Sequence, residues 1–303
     1  MEVLDGRQTA SRLPYTELAD SIQRVALARH EEGVRAPART ALPLPEGGVL
    51  LIMPATDGET AITKLVTVYP ENAALGLPAI QGEVVVMEAR TGERLGILDG
   101  AAVTARRTAA LSLLAARTLA PHPGGPLLIV GAGAQARSHL EAFREGLSVS
   151  RVFIASRTTA RSKSLAGHAK SLGMDAEIIR NPEGALDMAS LIVTATTSRE
   201  PVLPDNVPDG IFITAIGAFN PEMAELPPAL ISRSTVVVDT LEGAMEEAGD
   251  LIQAARAGAF RWENAIPLEA VLRESTELGG PVVFKSVGHA LWDLAAARTA
   301  FLR

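Results

Sequence analysis

The sequence predicts an α/β protein whose second part is a parallel β-sheet covered by helices on both faces. Downstream of residue 126, short and continuously apolar strands alternate with helical segments, which is typical of such a sheet. Upstream of residue 120 the pattern differs, with one helix, several short strand-like runs and a closing helix. At roughly 150 residues per domain, a chain of 303 residues has room for two domains.

The first region, residues 1 to 120, is expected to begin with a helix from about Tyr15 to Glu32. Three prolines in the next segment, APARTALPLPEGG, are expected to prevent regular structure there: Pro37, Pro43 and Pro45. Four strand-like runs follow: GVLLIM, TAITKLVTVY, GEVVVMEA and RLGIL. TGER, between the last two, predicts a hairpin turn. A helix from about Ala101 to Leu119 closes the region, and the segment PHPGGP (121–126) marks the domain boundary.

The second region is expected to place strands at LLIV, RVFIAS, LIVTA, IFITAI and TVVVD. Helices are expected from Ala134 to Glu145, ending at Gly146, and from about Thr159 to Leu172, ending at Gly173. A final helix is expected in SVGHALWDLAAART, with a face that could pack against the first region.

The composition excludes several classes of function. Hydrophobic residues make up 47% of the chain, which is enough for a sizeable core, and the net charge of -7 makes nucleic acid a poor partner. The absence of cysteine removes disulfides, thiolate zinc sites and Cys nucleophiles, and the five histidines show no metal-ligand spacing, so no metal is expected. No signal sequence and no apolar run of membrane-spanning length is evident, so a soluble cytoplasmic protein is expected.

A dinucleotide fingerprint follows the first strand of the second region. In LLIVGAGAQA, Gly131, Gly133 and Ala136 form the pattern G-x-G-x-x-A between a strand and a helix. Gly131 permits the tight turn, Gly133 lets a pyrophosphate approach the backbone, and Ala136 keeps the helix close to the sheet. The helix N-terminus faces the phosphates. The alternative is an ordinary strand-to-helix corner.

The end of the next strand predicts which dinucleotide binds. A cofactor without a 2′-phosphate usually meets Asp or Glu about 20 residues past the fingerprint. Here the positions are Ser156, Arg157 and Thr158, and no acidic residue lies between Arg151 and Arg161. These residues favour NADPH over NADH. If Arg157 is only a solvated surface residue, either cofactor fits.

Three cations draw attention because two are expected on apolar faces and the third is expected in a loop restricted by prolines. Lys64, one of only four lysines, alternates onto the apolar face of TAITKLVTVY, and Arg107 falls on a core-facing stripe of its helix. Arg39 lies in the proline-rich loop. Each alone could be a structural ion pair or a snorkelling side chain. Together they favour a site for a small carboxylate, because Arg offers a planar fork and Lys a charge that also donates a proton.

The segments KLVTVYPENAALGLP, TGERLGILDG, TARRTAA, IVGAGAQARSH, GAFNPEMAEL and FKSVGHALWDLAAA resemble, in order, the ornithine cyclodeaminase/mu-crystallin family. The resemblance implies a homodimer with an α+β substrate and dimerisation domain built from both chain ends (1–120 and about 286–303). It also implies a Rossmann NADP-binding domain inserted between them (121–285).

The resemblance also implies the roles of individual residues. Arg39, Lys64 and Arg107 would hold the substrate carboxylate or amine, with Lys64 catalytic and Val287 near the substrate. Cofactor contacts are implied for Arg107, Gly131, Gly133, Ala134, Gln135, Ala136, Ser156, Arg157, Thr158, Thr197, Ile216 and Ser286.

Departures from the family pattern refine the expected activity. Phe219 occupies the place of the Asp that serves cyclodeaminases as acid and base, and Ser156 replaces their NAD-selecting acid. Ala79 replaces a polar residue often found after the GLP turn. The details are most similar to the bacterial Δ1-pyrroline-2-carboxylate/Δ1-piperideine-2-carboxylate reductases, which implies hydride transfer from NADPH, or NADH, to a cyclic imino acid.

Other functions stay open at this point. One alternative is ornithine cyclodeaminase, against which Phe219 argues, and another is an alanine-type amino-acid dehydrogenase of the same family. A third, from another class, is a non-catalytic, NADPH-dependent small-molecule binding protein.

Overall fold

A computed structural model describes residues 1–31, 33–274 and 277–302. The chain divides into two compact units: the first unit, Met1–Arg107 with Ala290–Arg303, and the second unit, Thr108–His289. No helix in the described ranges is both long enough and apolar enough to span a membrane.

The strands within the described residues are, in chain order, β1 (Glu2–Val3), β2 (Thr40–Pro43), β3 (Val49–Thr56), β4 (Thr60–Val68), β5 (Ile80–Glu88), β6 (Arg94–Asp99), β7 (Leu127–Val130), β8 (Arg151–Ala155), β9 (Asp175–Ile179), β10 (Leu191–Thr194), β11 (Phe212–Ala215), β12 (Thr235–Val238), β13 (Ile266–Pro267) and β14 (Val282–Lys285). The α-helices of the same ranges are α1 (Gly6–Ser11), α2 (Tyr15–Ala28), α3 (Gly100–Leu119), α4 (Ala134–Leu147), α5 (Thr159–Ser171), α6 (Pro228–Ser232), α7 (Leu241–Glu247), α8 (Gly249–Arg256), α9 (Leu268–Arg273) and α10 (Ala290–Phe301).

The first unit contains a six-stranded sheet in the order β1-β6-β5-β4-β3-β2. Its neighbours from β2 to β6 are antiparallel, whereas β1 runs parallel to β6. The central strand β4 pairs with β5 along its whole length and with β3 from residue 61 to residue 68. Helix α10 packs against α2 and β4, and it is buried around almost its entire circumference, as expected of a helix with so few polar residues. The predicted packing of the last helix on the first region is confirmed.

The second unit contains an eight-stranded parallel sheet in the order β13-β12-β14-β11-β10-β7-β8-β9. The strand order reverses between β7 and β10, and in doubly wound sheets ligands bind beyond the carboxyl ends of the strands at such a reversal. Every residue of β7, β10 and β11 is buried. The predicted α/β class with a parallel sheet is confirmed.

Several element predictions are wrong in detail. The proline-rich loop contains a strand, β2, and this is possible because β2 is an edge strand, where Pro43 need not donate to the ladder. Helix α2 ends at Ala28, where Arg29 and Glu31 donate to residues only three positions back, and Glu32 lies outside the described residues.

Glycine positions explain two further differences. Gly146 lies inside α4 and packs so closely on Leu113 that a Cβ would fall 2.5 Å from its Cδ2; the helix ends at Leu147, with Ser148 as the C-cap at φ 57°. The last helix begins at Ala290 rather than at Ser286, since Gly288 adopts φ 92°.

The boundaries between the two units also differ from the domain boundaries expected from the sequence, at residues 120 and 286. The first boundary falls within α3, because the second half of this helix belongs with the second unit: Ser112 Oγ lies 2.9 Å from Thr214 Oγ1 and 2.8 Å from His139 Nε2. The assignment of substrate to one unit and cofactor to the other stays a prediction.

Candidate functional site

Lys64 lies at the centre of the first unit's sheet. Its position on β4 pairs with Met53 on β3 and Val84 on β5, and both partners are buried. Side chains alternate along a strand, so Lys64 shares the buried face with Ile62 and Val66, while Leu65 points to the opposite face. The Lys64 side chain is only 4% exposed. A buried ammonium in such surroundings requires an anionic partner or a lowered pKa.

The anionic partner is Asp293, on α10, and the sequence analysis did not identify it. Lys64 Nζ donates to Asp293 Oδ1 at 3.2 Å and lies 3.4 Å from Oδ2. Arg107 Nε, on α3, lies 3.4 Å from the same Oδ1. Asp293 is fully buried and Arg107 almost so. One carboxylate therefore faces two cations in the interior of the first unit.

The environment lowers the pKa of Lys64 from 10.5 to about 8. Burial is the largest cause, and the charges of Arg107 and Arg39 act in the same direction. The charge and hydrogen bond of Asp293 oppose this shift. The half-buried Arg39 therefore lies close enough to Lys64 to affect its charge. Lys64 and Arg107 therefore share one acid, and Arg39 lies within electrostatic range of Lys64.

The balance of charge decides between a structural ion pair and a ligand site. Lys64 and Arg107 do form ion pairs, as the structural alternative requires. A single carboxylate nevertheless leaves these two side chains with a net positive charge. Uncompensated charge is costly in a buried place unless a ligand neutralises it. The cluster is suited to a small carboxylate.

The fingerprint loop of the second unit has the geometry of a dinucleotide cradle. Gly131 has φ 119°, its N–H donates to Ala155 O at 2.8 Å, and a Cβ there would lie 2.4 Å from Ala195 O. Gly133 differs, because it is exposed, begins α4 as the N-cap and leaves open space where a Cβ would stand. Ala136 is fully buried, as close packing of helix on sheet requires. An approaching pyrophosphate would meet free backbone N–H groups here, so these residues fit the cofactor.

The end of β8 contains the three residues that are expected to select the cofactor. Ser156 is half-buried, while Arg157 and Thr158 are exposed. Thr158 is the N-cap of α5, and its N–H donates to Ser156 Oγ at 3.3 Å. This arrangement presents one cation and two hydroxyls at a helix N-terminus, which suits a phosphate.

A buried carboxylate joins the ends of the adjacent strands β10 and β11. Glu225 accepts hydrogen bonds from four donors: Thr194 Oγ1 (3.0 Å), Thr196 N (2.7 Å), Thr196 Oγ1 (2.9 Å) and Gly217 N (2.7 Å). Burial raises the pKa of this carboxyl. The cofactor residues predicted from the resemblance, Thr197 and Ile216, each lie next to one of these donors. Glu225 therefore fixes the two segments that contain them.

A second buried carboxylate supports the loop after β14. Asp239 Oδ2 accepts from Ser286 Oγ at 2.8 Å, Val287 N at 3.2 Å and Gly288 N at 2.8 Å. Ser286 and Val287 are the residues predicted to contact cofactor and substrate. Just before them, the fully buried Lys285 places Nζ 2.7 Å from Asp250 Oδ2.

Two of the acids that sequence reasoning missed share one signal. Asp293 interrupts an apolar helix and Asp239 ends an apolar strand, so the criterion that identified Lys64 would also have selected them. Their partners are distant in sequence and could not be assigned from spacing. Among the described residues, no group of three or more His, Cys, Asp and Glu side chains is arranged to hold a metal ion.

Comparisons with known proteins identify the family of this chain. A family model, that of the ornithine cyclodeaminase/mu-crystallin family, matches residues 3–301. The Delta(1)-pyrroline-2-carboxylate reductase 1 of Burkholderia multivorans is 39% identical, covering 98% of this chain and 94% of the relative. The Delta(1)-pyrroline-2-carboxylate/Delta(1)-piperideine-2-carboxylate reductase of Azospirillum brasilense is 38% identical with the same coverage.

A solved structure is also similar over nearly the whole chain. The Thermococcus litoralis Delta(1)-pyrroline-2-carboxylate reductase, in complex with NADH and L-proline, superposes with a TM-score of 0.91 at 28% identity. The match covers 99% of this chain and 96% of that one. This chain belongs to the ornithine cyclodeaminase/mu-crystallin family.

Proposed function

We propose that this protein is an oxidoreductase that reduces cyclic imino acids, Δ1-pyrroline-2-carboxylate to L-proline and Δ1-piperideine-2-carboxylate to L-pipecolate, with NAD(P)H. The observation that carries the proposal is the buried Lys64–Asp293–Arg107 cluster, whose excess positive charge suits a small carboxylate. The Burkholderia relative is named as a reductase of Δ1-pyrroline-2-carboxylate and the Azospirillum relative as a reductase of both imino acids, and the Thermococcus structure contains NADH and L-proline.

The first unit supplies the substrate-binding cations. Arg107 and Arg39 orient the substrate carboxylate, since guanidinium groups match its two oxygens. Lys64 holds the carboxylate or transfers the proton that the imine nitrogen requires. Val287, which the family resemblance places near the substrate, lies in the loop of the second unit that Asp239 supports.

The second unit holds the cofactor through backbone and small side chains. Gly131 to Ala136 bind the pyrophosphate, and Thr197, Ile216 and Ser286 line the remainder of the site. When bound, the nicotinamide supplies the hydride that reduces the imine carbon. Glu225 and Asp239 keep these segments rigid, so that less ordering entropy is lost on binding.

The pair Arg157 and Ser156 favours NADPH over NADH. We expect Arg157→Ala to raise KM for NADPH by at least about tenfold, because a hydrogen bond to a charged group contributes about 1.5–3 kcal/mol. KM for NADH should change little. Arg161→Ala removes an exposed cation in the first turn of α5, and this matched control should leave KM for both cofactors unchanged. Equal losses for the two cofactors in Arg157→Ala would contradict phosphate recognition.

The residue Phe219 argues against ornithine cyclodeamination. Its ring is 47% exposed and stands where the family resemblance places the acid and base of cyclodeaminases. A phenyl ring exchanges no proton. The reduction of an imine does not require a second acid at this position.

A spectrophotometric assay tests the proposed function. NADPH and NADH are each mixed with the two cyclic imines, and ornithine with NAD serves as the control. We expect rapid, imine-dependent loss of nicotinamide absorbance, and no proline or ammonia from ornithine. Turnover of pyruvate with ammonia, in place of the imines, would indicate an amino-acid dehydrogenase. Tight cofactor binding without any turnover would indicate a binding protein.

The assembly is proposed to be a homodimer formed through the first unit. Leu42 and Leu65, on the sheet face opposite Lys64, are 51% and 39% exposed. A depression of about 810 Å³ on this face is lined in part by Leu50, Leu65 and Pro78. Exposed apolar surface of this kind favours association. A cytoplasmic location stays a prediction.

A further inference from the structure

The Asp293 carboxylate occupies a position that substrate binding alone does not explain. A site for a carboxylate would bind its ligand more tightly without a fixed anion among its cations. Yet Asp293 is fully buried, lies 3.2 Å from Lys64 Nζ and 3.4 Å from Arg107 Nε, and is the only acid paired with either cation in the described part of the chain. Its presence requires a reason other than ligand affinity.

We infer that Asp293 is a positioning residue that keeps a proton on Lys64, and that the Lys64 ammonium donates this proton to the imine nitrogen of the substrate. The inference rests on the proposed function and identifies its acid. As one N–H bond of Lys64 breaks, the imine nitrogen gains an N–H bond, and the hydride from NAD(P)H provides the electron pair for the new C–H bond. Lys64 becomes a neutral amine and regains a proton from water.

The groups around Lys64 explain why a counter-ion is needed. Two cations face it, Arg107 from α3 and Arg39 from the loop before β2. The neighbouring strands β3 and β5 contribute the uncharged Met53 and Val84. Helix α10 contributes the carboxylate of Asp293. Burial and the two guanidinium groups disfavour the ammonium form. Asp293 opposes them, and the resulting pKa of about 8 leaves Lys64 protonated at neutral pH but ready to release the proton.

The small number of lysines makes a direct measurement possible. In protein labelled with ¹³C-lysine, four Cε signals are expected, from Lys64, Lys163, Lys170 and Lys285. The Lys64 signal should titrate with a midpoint near pH 8. In Asp293→Asn the midpoint should fall by about 1–3 pH units, the range for loss of an adjacent opposite charge. The other three signals should overlay between the two proteins and are the internal references.

A second variant predicts a shift of opposite sign. In Arg107→Gln, one cation that disfavours the ammonium is removed, so the Lys64 midpoint should rise. This variant keeps the test decisive if Asp293→Asn does not fold. If both variants fold, a Lys64 midpoint that stays at the wild-type value in both would overturn the inference. If Asp293→Asn does not fold, an unchanged Lys64 midpoint in Arg107→Gln would overturn it.

The kinetic readout separates proton donation from mere binding. With saturating imine, kcat should decline as pH rises through the pKa of Lys64, and in Asp293→Asn this decline should occur at lower pH. Comparing the variant with wild type cancels the ionisation of the substrate itself. If only KM follows the Lys64 titration while kcat is flat, Lys64 binds the carboxylate and is not the acid. If every imine is inert while the NMR midpoints move as expected, the proposed function fails but the control of Lys64 by Asp293 stands.

Discussion

Lys64→Ala and Arg107→Ala are each expected to lower kcat/KM for the cyclic imine by about 100- to 10,000-fold, the range for losing a group that acts on the transition state. NADPH affinity should stay nearly intact. The fold should also persist, because in each variant Asp293 stays paired with the remaining cation, so no buried charge is left without a partner. Steady-state kinetics combined with fluorescence titration of NADPH measures both quantities.

Arg106→Ala provides the matched control on the same helix. Its guanidinium lies 3.8 Å from the ring centre of Tyr15, and its Nε donates to Leu13 O. This variant should lower the melting temperature and leave kcat/KM close to wild type. A similar loss of NADPH affinity in Lys64→Ala and Arg107→Ala would mean that the cluster serves the cofactor rather than the substrate.

Gly133→Ala is expected to weaken NADPH binding by at least about tenfold, or about 1.4 kcal/mol, without changing the melting temperature. The added methyl meets no atom of the protein, but it occupies the surface that a pyrophosphate would approach. Calorimetric titration with NADPH and a thermal melt of the free protein measure the two effects.

Gly131→Ala should behave differently, although it alters the same motif. Its methyl would lie 2.4 Å from Ala195 O, and φ 119° is strained for alanine, so the free protein itself should lose stability. If Gly133→Ala instead destabilises the free protein and retains NADPH affinity, this loop is an ordinary strand-to-helix corner.

Much of the second unit could be predicted because its strands are short, apolar and buried on both faces. The G-x-G-x-x-A fingerprint between β7 and α4 also predicted a dinucleotide-binding fold, because its spacing is specific to that kind of strand-to-helix turn. Two of the missed strands lack such a pattern, because β9 (DAEII) has no buried residue and β13 contains only two residues. The fully buried β14 was missed as well. Edge strands depend on pairing with a neighbour more than on their own composition.

The candidate site could be predicted only in part. Lys64 and Arg107 were identified because a charge on an apolar face is conspicuous in local sequence. Their shared partner could not be assigned, since Asp293 lies 229 positions from Lys64 and approaches it only when α10 packs on β4. Glu225 was missed for a similar reason, because it acts on donors 8 to 31 positions away.

The most direct test of the proposed reaction follows the hydride itself. The enzyme is incubated with Δ1-pyrroline-2-carboxylate and NADPH that carries deuterium at both hydrogen positions of nicotinamide C4, and the product is analysed by chiral chromatography and mass spectrometry. The proposal predicts L-proline with one deuterium at C2. Proline without deuterium, or unchanged imine beside intact NADPH, would contradict it.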